Sequence, residues 1–97
     1  MQVKVVGKIN EHLKAVFITG NKQIEVCSDS VLSTAQNMGL NKETLIKLNA
    51  NIKRLEALQD AYWHMTDDHN YWKTQRDLRI KIDSLKNLKK EVTKNEN

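Results

Sequence analysis

Residues 41–93 read NKETLIKLNANIKRLEALQDAYWHMTDDHNYWKTQRDLRIKIDSLKNLKKEVT, and the reading of this stretch decides the fold. It contains no glycine, and the whole chain contains no proline, so the strongest helix breakers are absent from it. Leu45, Leu48, Ile52, Leu55 and Tyr62 recur at steps of three, four and seven, with Leu58 and Met65 beside them. Leu78, Ile82, Leu85 and Val92 form a second stripe of the same period, joined by Leu88. Such spacing places apolar side chains on one face of a helix. Between the stripes the polar run Thr66-Asp67-Asp68-His69-Asn70 interrupts the seam. The pattern predicts two helices, about 42–65 and 67–93, folded back as an antiparallel hairpin, with Asp67 and Asp68 as first-turn acids of the second. A single unbroken helix paired with a second copy as a coiled coil is the alternative, and the polar break favours the hairpin.

Upstream of the hairpin the pattern changes twice. Ser28-Asp29-Ser30 offer N-cap oxygens for a short helix through about Met38. Gly39 then suits the position after a helix, Leu40 packs back on it, and Asn41 caps the next helix, whose positive end Glu43 complements. Before residue 28 the side chains favour strands. Val3, Val5 and Val6 lead to Gly7, a bulge or bend position. Leu13 to Thr19 form a second run, and Gly20-Asn21 separate it from the alternating Gln23-Ile24-Glu25-Val26-Cys27. A Gly-Asn link of this kind predicts a hairpin with glycine first in a type II′ turn. Asn10-Glu11-His12 make a looser turn between the first two strands. The expected fold is therefore α+β and a single domain. A three-stranded antiparallel β-meander (1–27), a short helix and turn (28–40), a long helical hairpin (41–93) and a frayed tail (94–97) follow in order.

Composition bounds the function. The 97 residues carry 16 Lys and Arg against 12 Asp and Glu, a net charge of +4. Residues 69–97 hold eight basic and four acidic side chains, so the surplus lies in the last helix. Cys27 is the only cysteine, which excludes an intramolecular disulfide, and it reads as a small buried hydrophobe. The longest apolar run is Ala15-Val16-Phe17-Ile18, so a cytoplasmic setting without membrane insertion is expected. The three glycines stand far apart and build no phosphate loop. Without a compelling nucleophile–base spacing, neither catalysis nor a cofactor is expected.

Binding residues are easier to find. Both tryptophans and both tyrosines fall within Tyr62-Trp63-His64-Met65-Thr66-Asp67-Asp68-His69-Asn70-Tyr71-Trp72, at the expected hairpin tip. On a helical wheel Tyr62 and Tyr71 fall near the core stripes and Trp63 and Trp72 at their edges. His64, Asp68 and His69 lack the further ligands a zinc site needs, so no metal is expected. Arg76, Arg79, Lys86, Lys90 and Lys94 share one flank of the last helix, below Trp72. Steps of four and three allow the arginines to stack on the indole and Asp83 to pair with Arg79 or Lys86. The expected partner is a larger protein or protein–nucleic acid complex. Trp63, Tyr71 and Trp72 would act as anchors, and Arg76, Arg79, Lys86 and Lys90 as charged contacts. In size and Lys/Asn-rich composition the chain looks like accessory proteins of phages and mobile elements, including inhibitors of host defence.

A second reading starts from Thr34-Ala35-Gln36-Asn37-Met38-Gly39-Leu40-Asn41-Lys42-Glu43-Thr44-Leu45-Ile46-Lys47-Leu48. This stretch resembles the core of DNA-binding helix-turn-helix motifs. In that family a small residue (here Ala35) lets two helices approach, and a glycine four positions on (here Gly39) makes the turn. The resemblance implies that Asn41, Lys42, Glu43, Ile46 and Lys47 face the major groove, in a dimer joined through the long helices. The chain departs from the family where the second helix runs on past Ile52 and Leu55, and where a sheet stands in for the supporting helix.

Overall fold

The computed structural model describes residues 2–10, 12–38, 42–64 and 71–95. Three strands come first, β1 (Gln2–Ile9), β2 (His12–Thr19) and β3 (Lys22–Cys27), followed by α1 (Ser28–Gln36), α2 (Lys42–Trp63) and α3 (Tyr71–Asn95). The strands form one antiparallel sheet in the order β1-β2-β3. The α+β architecture and the helical hairpin expected from the sequence are both present.

Local chemistry explains the sheet's two irregularities. The β1–β2 register slips between Val5, which pairs with Ala15, and Gly7, which pairs with Lys14. Gly7 has φ 147°, and the extra residue, Val6, is 57% exposed. The slip brings Lys8 opposite Leu13, on the buried side of the sheet. At the other hairpin Gly20 has φ 58° while Asn21 has a negative φ, as a type II′ turn requires between the paired Thr19 and Lys22. His12 departs from expectation. It opens β2 opposite Ile9 rather than lying in the turn, because Asn10, at φ 51°, already reverses the chain.

The inner face of the sheet presents Val5, Leu13, Ala15, Phe17 and Val26, all buried. Two elements cover it. The first, α1, packs on β2 and β3 through Val31 and Ala35, while α2 lies along β1. The helical stripes then seal one another, with Leu48, Leu55, Leu58, Leu78 and Leu85 essentially inaccessible in a core continuous with that of the sheet. At about 1.5 Å per residue, α2 and α3 are roughly 33 and 37 Å long, so the hairpin sets the molecule's 46 Å long axis.

Several helix boundaries differ from expectation. The first helix starts at Ser28, directly from β3, with Cys27 as its N-cap and no side-chain cap. Ser28 is buried instead of capping, and the Ser30 hydroxyl donates to the Cys27 carbonyl at 2.9 Å. Cys27 itself is only half-buried. The end of α1 falls at Gln36, where the Asn37 N–H donates to Ser33 O at 3.1 Å. Gly39, Leu40 and Asn41, expected to make the turn and the next cap, lie outside the described residues. So do Met65 to Asn70. The described helices run to Trp63 and from Tyr71, and the expectation that Asp67 and Asp68 are first-turn acids lies outside the described residues.

One buried cation ties α3 to β2 and α1. Lys81 is 6% exposed, and its ammonium lies 2.9 Å from Asp77, 3.6 Å from Asp29, 3.0 Å from His12 Nδ1 and 3.4 Å from Ser28 Oγ. It therefore sits at the positive end of the α1 dipole, an unfavourable place that the two carboxylates offset. Sequence reading passed over Lys81, because one lysine in a charged helix carries no mark of burial.

Candidate functional site

The aromatic cluster is built on a core residue. Tyr62 belongs to the buried stripe of α2 and is 4% exposed. Tyr71, the first residue of α3, stacks on it at 5.7 Å between ring centroids and 26° between planes. Each tryptophan is one residue further along its helix, about 100° round the axis. That step carries both out of the seam while they keep contact with Tyr71, Trp63 at 5.5 Å and Trp72 edge-on at 5.1 Å. The indoles are left 54% and 75% exposed. Loss of water among the rings pushes the Tyr71 phenol above its ordinary pKa.

The sheet holds this cluster from behind. Lys8, turned inward by the bulge, donates to Thr74 Oγ1 at 2.9 Å, and its ammonium lies 5.4 Å from the Tyr62 ring centroid. Gln75 Nε2 donates to the Gln59 carbonyl at 3.3 Å and joins α3 to α2 below the tryptophans. These contacts anchor both helices near the exposed rings, so the indoles stand on a supported platform.

Beside the rings a furrow opens between the two helices. Its upper part is a cleft of about 690 Å³, with Trp63, Asp60 and Glu56 on the α2 wall and Trp72, Arg76 and Arg79 on the α3 wall. Its lower part, about 710 Å³, runs from the shared Glu56 past Lys53 to Lys86, Lys89, Lys90 and Lys94. The upper part balances two arginines against two carboxylates. The lower part is cationic, with the single acid Glu56 lying 4.0 Å from Lys86.

The furrow thus gathers Trp63, Trp72, Arg76, Arg79, Lys86 and Lys90, while Tyr71 supports the indoles from beneath. Two expected contacts differ. Among the described residues the cation over a ring is Lys8 over Tyr62, not an arginine over Trp72. Lys86 lies near Glu56 across the furrow rather than Asp83 on its own helix. On the α2 wall sequence reading found Trp63 but missed Lys53, Glu56 and Asp60. Lys53, Glu56, Asp60 and Trp63 do fall at steps of three and four, the one signal that they share a face.

The helix-turn-helix stretch occupies the opposite end of α2. Ala35 is fully buried where α1 meets the core, and Leu48 is fully buried as well. Lys42, Glu43 and Lys47 are exposed, and Ile46 is 71% exposed. Asn41 lies outside the described residues. Elsewhere His64 Nε2 lies 3.8 Å from Asp60, and among the described residues no three His, Cys, Asp or Glu side chains cluster as metal ligands. No helix among the described residues is long and apolar enough to cross a membrane.

Fold and furrow together define an α+β protein whose helical hairpin carries an open channel, aromatic at one end and basic at the other. Comparison with protein-family models, with curated proteins and with solved structures finds no match to this chain.

Proposed function

We propose that this protein is a non-enzymatic binding module that recognises a larger protein through the aromatic end and basic flank of its hairpin. One observation carries the reading. Trp63 and Trp72 stand more than half exposed on a supported Tyr71 platform, beside Arg76 and Arg79. Burying an indole in a solvent-excluded contact contributes more than burying any other side chain of similar flexibility, and arginine adds directional charged hydrogen bonds. Leaving two tryptophans in water gives the isolated chain nothing. Occlusion or competition is the mechanism such a surface supports, as an inhibitor, adaptor or assembly factor. A phage or mobile-element protein directed at a host or defence complex is the narrower form of this reading.

The DNA-binding alternative draws support from Ile46, 71% exposed between Lys42 and Lys47 at the start of α2. The two readings place different demands on the chain. W72A/R76A should abolish binding of a protein partner, and K42A/K47A should leave it intact. Titration with a labelled random-sequence DNA duplex, at low and near-physiological salt, tests the alternative directly. Tight binding that weakens steeply with salt and is lost in K42A/K47A would replace the first reading with the second.

A further inference from the structure

The protein-binding reading leaves the partner's chemistry open, and the furrow narrows it. Resting on that reading, we infer that the furrow between α2 and α3 takes a third helix, amphipathic and acidic at one end, from the partner. Its acidic end would lie over Lys86, Lys90 and Lys94, and its apolar end between Trp63 and Trp72.

Shape is the first argument. The walls are two antiparallel helices, and the upper and lower clefts share Glu56, so they form one channel. From Trp72 to Lys94 it runs along α3 for about 33 Å, at about 1.5 Å per residue. A furrow between two helices receives the side-chain ridges of a third, as in a three-helix bundle. An occupant spanning it needs roughly 22 residues.

Charge is the second argument, and it selects the class of ligand. The lower cleft sets five lysines against Glu56, which calls for carboxylates or phosphates. The upper cleft separates these. A single nucleic-acid strand would stack bases on Trp63 and Trp72 and thread its phosphates past them. Beside those tryptophans Glu56 and Asp60 offset Arg76 and Arg79, so the channel there carries no net positive charge to hold a phosphate chain. A helix carries acid at one end without carrying it at the other, so it satisfies both halves. A double helix presents a convex surface too broad to enter such a furrow.

The test is selection, on the full-length protein, from a displayed library of helical peptides of about 22 residues with one randomised face. Selected peptides should concentrate Asp and Glu in one half and large apolar residues in the other. Reversing two lysines, K86E/K90E, should weaken them about tenfold or more, a difference within reach of a few opposed charges. Exchanging the peptide's acids for lysines should restore binding to that variant, which rules out a folding defect as the cause. A quench or blue shift of tryptophan fluorescence should accompany binding.

Neutral or basic selected peptides that ignore K86E/K90E but are lost in W63A/W72A would overturn the acidic helix and leave the aromatic binding surface standing. No enrichment, or enrichment insensitive to both variants, would overturn the helix and the surface together. A thymidine 20-mer that binds more tightly than any selected peptide, and loses its affinity in W63A/W72A, would reassign the furrow to single-stranded nucleic acid.

Discussion

Replacing Lys81 with methionine is expected to change stability by less than about 1 kcal/mol, although it removes a cation with four polar partners. The reasoning rests on where desolvation falls. The ammonium is almost fully buried, whereas Asp29 and Asp77 keep 58% and 47% of their side-chain surface in water. Methionine occupies the space of the lysine stem, and both carboxylates and the partly exposed His12 ring return to solvent at little cost. The buried Ser28 hydroxyl gives up only a long 3.4 Å contact. The converse change differs in kind. D29N/D77N keeps the volume but leaves the buried charge facing His12, Ser28 and the positive end of α1, without a counter-ion.

Stripping a buried charge of its partner costs about 3–5 kcal/mol, and the exposure of both carboxylates argues for the lower end, about 3 kcal/mol. For a domain of this size that corresponds to a fall of about 12–24 °C in Tm. Urea denaturation of the wild type and both variants, followed by circular dichroism, reads the difference directly. Should K81M lose as much stability as D29N/D77N, the ion pairs would be net stabilising and the desolvation argument would be wrong.

Other expectations follow from single contacts. W72A should leave urea stability within about 0.5 kcal/mol of wild type, because the indole is mostly in water, while partner binding is lost. Ala35 has no accessible surface at the α1 corner, so Ala35→Leu should overpack it and cost about 1–3 kcal/mol by the same urea measurement. In a Y62F background, ultraviolet titration should show Tyr71 ionising above the ordinary tyrosine range. Folding then holds a proton that the unfolded chain releases, so the Tyr71 contribution is intact below the ordinary value. It should be lost as pH rises through the folded one, and a normal titration would remove the desolvation argument.

The sequence alone determined everything that depends on local period and backbone freedom. The 3-4 stripes of Leu48 to Tyr62 and Leu78 to Val92, the type II′ turn at Gly20 and the bulge before Gly7 each follow from a residue's own geometry or its near neighbours. The sequence put Trp63 and Trp72 at the edges of the core stripes. Whether they plug the hairpin's open end or face water was decided only by the fold, which leaves both exposed. Tertiary structure alone decided which surfaces face one another. The α2 wall of the furrow, the inward reach of Lys8 to Thr74 and the burial of Lys81 beneath α1 join residues from 16 to 69 positions apart. No helical or strand period encodes such pairings. They arise when the sheet and α1 cover two sides of the hairpin and leave the third side open.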